Sequence, residues 1–147
     1  MKRANDKRSG FTIIELLFVI GIFCLMIIIL TPFVHMAKER AHKIACANNL
    51  RHISLALHSY AADNNDAFPQ SLGALYPNYV ESEQVFDCPS SKLIGSAANP
   101  DYKYFTGLTE TSGPKEVIAQ DSKVNHKNSG GNILRVDGTV EWTREIY

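Results

Sequence analysis

The sequence predicts an α+β fold in which one long N-terminal helix packs against a small antiparallel sheet of three or four strands. Three features lead to this prediction. An uncharged apolar run covers residues 16–34, and an amphipathic pattern without proline or glycine continues to residue 62. Segments rich in β-forming residues, separated by turn formers, fill the C-terminal third. Such elements favour a helix layer packed on one face of a sheet.

The apolar run is expected to cross a membrane. At about 1.5 Å rise per residue, residues 16–34 span roughly 28 Å, close to the hydrocarbon thickness of a bilayer. Residues 1–10 carry four basic side chains and one acidic side chain. This bias predicts a cytoplasmic N-terminus and a C-terminal domain on the far side of the membrane, although Lys38, Arg40 and Lys43 oppose it.

A short segment at the start of the apolar run carries a specific motif. Gly10 lies between the basic residues and the apolar run, in RSGFTIIELLFVIGI, and Glu15 interrupts the apolar residues. A carboxylate within a membrane helix costs roughly 3 kcal/mol, so it usually has a partner or a function. The segment resembles the N-terminal signature of type IV prepilins and type II secretion pseudopilins. This resemblance implies cleavage after Gly10 by prepilin peptidase and N-methylation of the new terminus, Phe11.

The same resemblance implies assembly roles for Glu15 and Pro32. Glu15 corresponds to the family glutamate near the mature N-terminus, and it can neutralise the Phe11 ammonium of a neighbouring subunit. Pairing the two charges offsets part of the cost of placing each in lipid. The alternative is that Glu15 reaches the lipid headgroups from the helix end. Pro32 lacks an N–H group and should bend or loosen the helix, with Thr31 helping to satisfy the freed backbone.

The chain is expected to divide into four parts. They are a cytoplasmic leader at 1–10, a transmembrane helix at 11–34, an amphipathic continuation at 35–62, and a periplasmic or extracellular globular domain at 63–147. The predicted elements of the globular domain are a short helix within 71–77 and strands at 102–108, 117–120, 133–136 and 139–142. Asp137-Gly138 between the last two strands is typical of a two-residue hairpin turn.

A second resemblance concerns the region after the membrane segment. Residues 46–69, 86–90 and 126–142 resemble a bacterial family of pilin-like proteins whose members end in a histidine, a spacer and Asp-Gly. His126 and Asp137-Gly138 match this pattern. The spacer here holds ten residues, one more than is usual, which leaves the register at His126 open.

The three cysteines have different expected roles. Cys24 lies in the apolar run and is expected to pack as a small apolar residue. Cys46 and Cys88 would both face an oxidising compartment if the topology is as predicted. A Cys46–Cys88 disulfide would close a loop of about 40 residues and contribute about 3–4 kcal/mol in chain-entropy terms. The alternative is two free thiols.

A calcium ion is the one cofactor that the sequence leaves open. Major pseudopilins often carry calcium in C-terminal loops, and Asp121, Asn125, Asn128 and Asp137 are oxygen donors in the corresponding region. Calcium takes about six to eight oxygen ligands, usually with several carboxylates. These four residues are a thin set, and loop-capping and turn roles explain them equally well.

The resemblance implies a structural subunit of a type II secretion pseudopilus or a type IV pilus-like filament in the bacterial inner membrane. The expected partners are copies of the chain, other pilin-like subunits, the peptidase and methyltransferase, the inner-membrane assembly platform and the lipid bilayer. No catalytic motif is present, so no enzyme activity is predicted. Residues 11–147 hold 14 acidic and 11 basic side chains, so no nucleic-acid partner is predicted.

Two alternatives stay open. One is a minor pilin that binds a surface or DNA, and the other is a membrane-tethered enzyme or metal-binding ectodomain that uses the loop between His126 and Asp137.

Processing at Gly10 predicts a defined change in mass. The intact mass of the chain extracted from membranes should correspond to a polypeptide that begins at Phe11 and carries one added methyl group. Mass spectrometry of the detergent extract measures this directly. A mature chain that still begins at Met1 would contradict the implied processing and remove the proposed amine partner of Glu15.

Overall fold

The computed structural model describes residues 11–122 and 124–146, apart from the side chain of Lys127. The leader and the cleavage residue Gly10 therefore lie outside the described residues. The chain divides into two compact units, of which the first ends at Ala37 and the second begins at Lys38.

A single helix runs through both units. Helix α1 covers Ile13–Asp63, which agrees with the predicted helix to within one residue at either end. Pro32 lies inside it. The Thr31 hydroxyl donates to the carbonyl of Ile27 at 2.7 Å, whereas the carbonyl that a proline at position 32 leaves without its donor is that of Ile28. The prediction that Thr31 compensates for Pro32 is therefore wrong in its detail.

The first unit is apolar on every side. All described residues from 11 to 37 are exposed, and the most exposed large side chain of the apolar helix is Ile13 at 80%. Among the described residues, α1 is the one helix that is long and apolar enough to cross a membrane. A helix that is hydrophobic all round needs lipid or other protein around it, because water would hydrate its apolar surface unfavourably.

The second unit contains a four-stranded antiparallel sheet. Neighbouring strands in the sheet follow each other in sequence. Their bounds are β1 at Tyr102–Tyr104, β2 at Val117–Asp121, β3 at Gly131–Arg135 and β4 at Val140–Thr143. The α+β prediction is confirmed, and β1 is shorter than the predicted strand. The predicted short helix is a 3₁₀ helix at Leu72–Leu75.

The hairpin between β3 and β4 has a three-residue connection rather than the predicted two-residue turn. The Arg135 N–H donates to the Thr139 carbonyl at 2.9 Å, and the Gly138 N–H donates to the Arg135 carbonyl at 3.0 Å. Gly138 alone in this connection has a positive φ, of 80°. Val136 lies in the turn rather than in β3, and its side chain packs in the core. The chain still reverses direction at Asp137-Gly138.

The core lies between the second half of α1 and the sheet. One face of α1 is buried at Cys46, Leu50, Ile53 and Leu57. These side chains belong to one apolar cluster with residues of β2, β3 and the segments before β1. The three- and four-residue spacing of apolar residues in 35–62 predicts an inner face that includes Ile44, but Ile44 is 62% exposed. The buried stripe therefore runs along a slightly different side of the helix than the sequence pattern indicated.

Two leucines on α1 test this assignment. Leu57 is 1% exposed and Leu55 is 66% exposed, so they differ in environment and not in chemistry. Leu57→Ala should lower the free energy of unfolding by about 2–5 kcal/mol, because it leaves a cavity in the core. Leu55→Ala should change it by less than about 0.5 kcal/mol.

Urea unfolding of the full chain in detergent, followed by Trp142 fluorescence, measures both values. Similar losses from the two substitutions would contradict the assigned buried face.

Candidate functional site

The N-terminal end of α1 is capped by hydrogen bonds that Thr12 and Glu15 donate to each other. Glu15 Oε2 accepts from the Thr12 backbone N–H at 2.9 Å and from the Thr12 hydroxyl at 2.7 Å. The Glu15 N–H donates back to the Thr12 hydroxyl oxygen at 3.3 Å. This arrangement is a capping box, in which two backbone donors at the helix start are satisfied. The pattern Thr-x-x-Glu at residues 12–15 could have predicted this capping box, but it was not identified in the sequence analysis.

The capping contact occupies one oxygen of the Glu15 carboxylate. No described residue donates a hydrogen bond to Glu15 Oε1. The groove beside Glu15 is lined by the apolar side chains of Phe11, Ile14, Phe18 and Val19. Glu15 therefore has a local structural role and retains one oxygen for a partner from outside the chain.

A second cluster of polar side chains lies in the core of the second unit. Cys46 comes from α1, Cys88 follows the 3₁₀ helix at Glu83–Phe86, Asp121 ends β2, and His126 lies in the 3₁₀ helix at Asn125–Asn128. One sulfur, nitrogen or oxygen atom from each lies within 4.8 Å of the others. All four residues are at most 1% exposed. We refer to these four residues as the buried cluster.

The imidazole of His126 is at the centre of this group. Its Nε2 atom lies 3.3 Å from Asp121 Oδ2 and 3.7 Å from Cys88 Sγ. Its Nδ1 atom lies 3.1 Å from Oε1 of Glu39, which is on α1. His126 also has a positive φ of 51°, a conformation that a residue other than glycine keeps only where its surroundings enforce it.

The carboxylate of Asp121 is held by β3. The backbone N–H and the side-chain amide of Asn132 donate to Asp121 Oδ2 at 2.7 Å and 3.0 Å. The same amide donates to the Lys43 carbonyl of α1 at 3.1 Å. Gly131 permits this approach, because a Cβ atom there would lie 2.7 Å from the Asp121 Cβ. Asp121 Oδ1 is buried and has no hydrogen-bond partner among the described residues.

The two thiols of the cluster are not equivalent. A hydrogen bond from Cys46, together with one from His126, lowers the pKa of Cys88 to about 6 against the opposing effect of burial. The hydrogen bond to Cys88 and burial raise the pKa of Cys46. Burial works to lower the pKa of His126, but hydrogen bonds to Asp121 and Cys88 outweigh it and raise that pKa to about 10. These shifts favour a Cys88 thiolate beside a protonated His126.

An aromatic side chain covers the cluster on one side. The Trp142 ring on β4 meets the His126 ring edge-to-face, with the centroids 5.3 Å apart. The Lys43 Nζ atom lies 3.9 Å from the centroid of the Trp142 ring. This stack keeps water from the imidazole, which strengthens the electrostatic interactions within the cluster.

The predicted cysteine pair is brought together by the fold. Cys46 and Cys88 are neighbours in the buried cluster, and both are free thiols in this structure. Their disulfide stays a prediction. Cys24 is exposed in the first unit.

The four residues considered for calcium are not brought together. Asp121 and Asn125 are buried, whereas Asn128 and Asp137 are exposed. Asp121 contacts Asn132 near the start of β3, while Asp137 lies in the turn beyond its other end. Asp137 Oδ1 accepts from the Thr139 N–H at 2.9 Å, and this hydrogen bond lowers the pKa of Asp137. Calcium binding stays a prediction, and Asp137 has the turn role named as its alternative.

Sequence reasoning named all four members of the buried cluster but did not group them. It assigned the two cysteines to a disulfide, Asp121 to the calcium set and His126 to the C-terminal motif. It missed the supporting residues Glu39 and Asn132 altogether. No local sequence motif predicts the cluster, because its members come from four separate segments. The one usable signal was that Cys46, Cys88 and His126 all fall within the segments resembling the pilin-like family.

Comparison with known proteins places the N-terminal segment in a defined class. The prokaryotic N-terminal methylation motif matches residues 5–31. This match agrees with the α+β architecture described above, in which a long apolar N-terminal helix precedes an antiparallel sheet, as in a pilin-like fold. The chain is also similar to competence protein ComGC of Halalkalibacterium halodurans, with 28% identity over 95 residues, which are 64% of this chain and 89% of that protein. No solved structure matches the chain significantly.

The role of Asn132 can be tested by one substitution. Asn132→Ala removes the amide that joins Asp121 to the Lys43 carbonyl, and leaves both buried acceptors short of a donor. The free energy of unfolding should fall by about 1–3 kcal/mol. Asn48→Ala is the control, because Asn48 is exposed and its side chain accepts from Arg51 at the surface. It should change stability by less than about 0.5 kcal/mol.

Urea unfolding under the conditions used for the leucine variants gives both values. If the Asn132 and Asn48 variants lose the same stability, the bridging role is wrong.

Proposed function

We propose that the chain is a structural subunit of a type II secretion pseudopilus or a closely related pilus-like filament, cleaved after Gly10 and methylated at Phe11. The observation that carries this proposal is the first half of α1, which exposes apolar side chains all round and has a single carboxylate at its N-terminal end. In the bilayer, lipid covers such a helix. In a filament, the same surface packs against the helices of other subunits.

The carboxylate of Glu15 supplies the register of that packing. Cleavage removes the basic leader and leaves an ammonium group on Phe11. Glu15 Oε2 is engaged by Thr12 of its own chain, and Glu15 borders the groove lined by apolar side chains. A neighbouring Phe11 ammonium at Oε1 would pair two charges that are each costly in lipid. The expected partners are therefore other copies of the chain, further pilin-like subunits, the processing enzymes and the inner-membrane assembly platform.

A periplasmic location for the second unit follows from the predicted orientation. Residues 38–147 hold 13 acidic and 11 basic side chains, so this domain lacks the excess of positive charge that DNA binding uses. The role that the proposal assigns to it is structural rather than catalytic.

The similarity to competence protein ComGC favours a second candidate, a subunit of a filament that serves competence. Both candidates use the same helix and the same Glu15 contact. They differ in the machinery around the filament, and the acidic second unit favours an indirect role over direct contact with DNA.

Two substitutions separate the charge of Glu15 from its capping role. Glu15→Gln retains a side chain that can cap the helix start but removes the charge. Membrane insertion should be unchanged, and the yield of sheared filaments should fall at least tenfold, because the Phe11 ammonium would lack a counter-charge. Thr12→Ala removes the capping hydroxyl and keeps the charge, so filament yield should stay within about twofold of wild type.

Filament yield is measured by shearing, pelleting and electron microscopy, with the membrane-inserted pool as the reference. Normal filaments from Glu15→Gln would exclude charge pairing as the basis of assembly. A collapse of yield in Thr12→Ala alone would make helix capping the essential role.

A further inference from the structure

The filament proposal leaves the buried cluster of Cys46, Cys88, Asp121 and His126 unexplained. A filament subunit needs no ionisable groups in its core, and each such group is costly there unless it is paired. Two sulfurs, an imidazole and a carboxylate are also a donor set that zinc binds in proteins. We propose that these four side chains form a closed tetrahedral binding site for one zinc ion.

The donor atoms already have the spacing of such a site. Bonds of about 2.3 Å to sulfur and about 2.1 Å to nitrogen or oxygen, at tetrahedral angles, place sulfur and nitrogen roughly 3.6 Å apart. The same geometry places nitrogen and oxygen roughly 3.4 Å apart. The observed separations are 3.7 Å from Cys88 Sγ to His126 Nε2 and 3.3 Å from His126 Nε2 to Asp121 Oδ2. Cys46 supplies the fourth donor within 4.8 Å.

The contacts around the cluster orient its members as zinc ligands. Histidines that bind zinc generally use one ring nitrogen for the metal and donate from the other to a carboxylate, carbonyl or water. His126 directs Nδ1 to Glu39 and Nε2 to the cluster. Asn132 holds one oxygen of Asp121, while Oδ1 remains buried with no partner among the described residues. A cation bound through Oδ2, which Asn132 already orients, would offset the cost of burying the charge of this carboxylate.

A disulfide between Cys46 and Cys88 accounts for less of the arrangement. It would engage two of the four donors and leave the buried carboxylate of Asp121 and the imidazole of His126 without a role. It would also give no reason for the contact between His126 and Glu39. Zinc accounts for all four donors and for both supporting residues.

Four protein ligands leave no coordination position for water or substrate, which is characteristic of structural rather than catalytic zinc. Such an ion would link α1 to the segment at Cys88, to β2 and to the 3₁₀ helix at Asn125–Asn128. Folding of the second unit would then depend on zinc.

The test uses the full chain, purified from membranes in detergent without chelator. Elemental analysis should find about one zinc per chain, and alkylation mass spectrometry should find Cys46 and Cys88 unbridged. After zinc is removed under reducing conditions, cobalt(II) should give a thiolate-to-cobalt charge-transfer band and the visible bands of a tetrahedral site. Added zinc should abolish both.

Three variants assign the bands to the cluster. Cys88→Ser should abolish tight cobalt binding. Cys24→Ser, which removes the cysteine in the apolar half of α1, should bind cobalt as the wild type does. Glu39→Gln should weaken cobalt binding by about 10- to 100-fold, because the imidazole loses its orienting carboxylate.

A reduced wild-type chain without a charge-transfer band would overturn the proposal, whatever the folding of the variants. A Cys46–Cys88 bridge in the chain as isolated, or loss of the band in Cys24→Ser, would also overturn it. These measurements do not require a filament, so a failure of the zinc proposal can be distinguished from a failure of the proposed function.

Discussion

The two halves of one continuous helix need different surroundings, and the rest of the structure depends on this constraint. The first half of α1 exposes apolar side chains in every direction, and the second half buries a single stripe that includes Leu50, Ile53 and Leu57. An all-round apolar surface is stable only in lipid or against other apolar helices. A one-sided stripe is stable against a sheet of the same chain. Membrane anchoring, the proposed assembly and the core of the second unit are therefore consequences of how one helix distributes its hydrophobic residues.

Glu15 shows how a costly group can have two functions. Within the chain, its carboxylate accepts from the Thr12 backbone N–H, while the Thr12 hydroxyl accepts from the Glu15 N–H, so the capping box satisfies backbone donors that lack water partners in a membrane. Between chains, the second oxygen is the proposed acceptor for the Phe11 ammonium. The two roles use different oxygens and are compatible. A helix start that is already capped also presents its remaining oxygen in a defined position, which reduces the conformational entropy lost on pairing.

The elements that periodicity and turn chemistry govern were predictable from the sequence. The long helix, the four-stranded sheet and the reversal at Gly138 follow from local patterns that need no knowledge of distant contacts. The exposure of Ile44 and the length of the turn at Val136 were not predictable, because both depend on which side of each element the core occupies. The candidate site was harder still. Cys88 and Asp121 come from different segments, and only tertiary folding shows that they share a site with His126. Sequence reasoning therefore identified the reactive residues and grouped them incorrectly.

The small size of the second unit gives a physical reason for a cross-link at this position. A domain of about 100 residues buries a smaller fraction of its surface than larger domains do, and small exported domains often add a disulfide or a metal ion to their core. The expected disulfide and the proposed zinc site would each cross-link the small core, and both use the same pair of cysteines. They differ in what they do with the neighbouring charges. A disulfide leaves Asp121 and His126 to pair with each other, whereas a cation uses both as ligands and turns Glu39 and Asn132 into orienting groups. Because buried charged groups are costly unless they are paired, the arrangement that uses all four side chains together favours the metal.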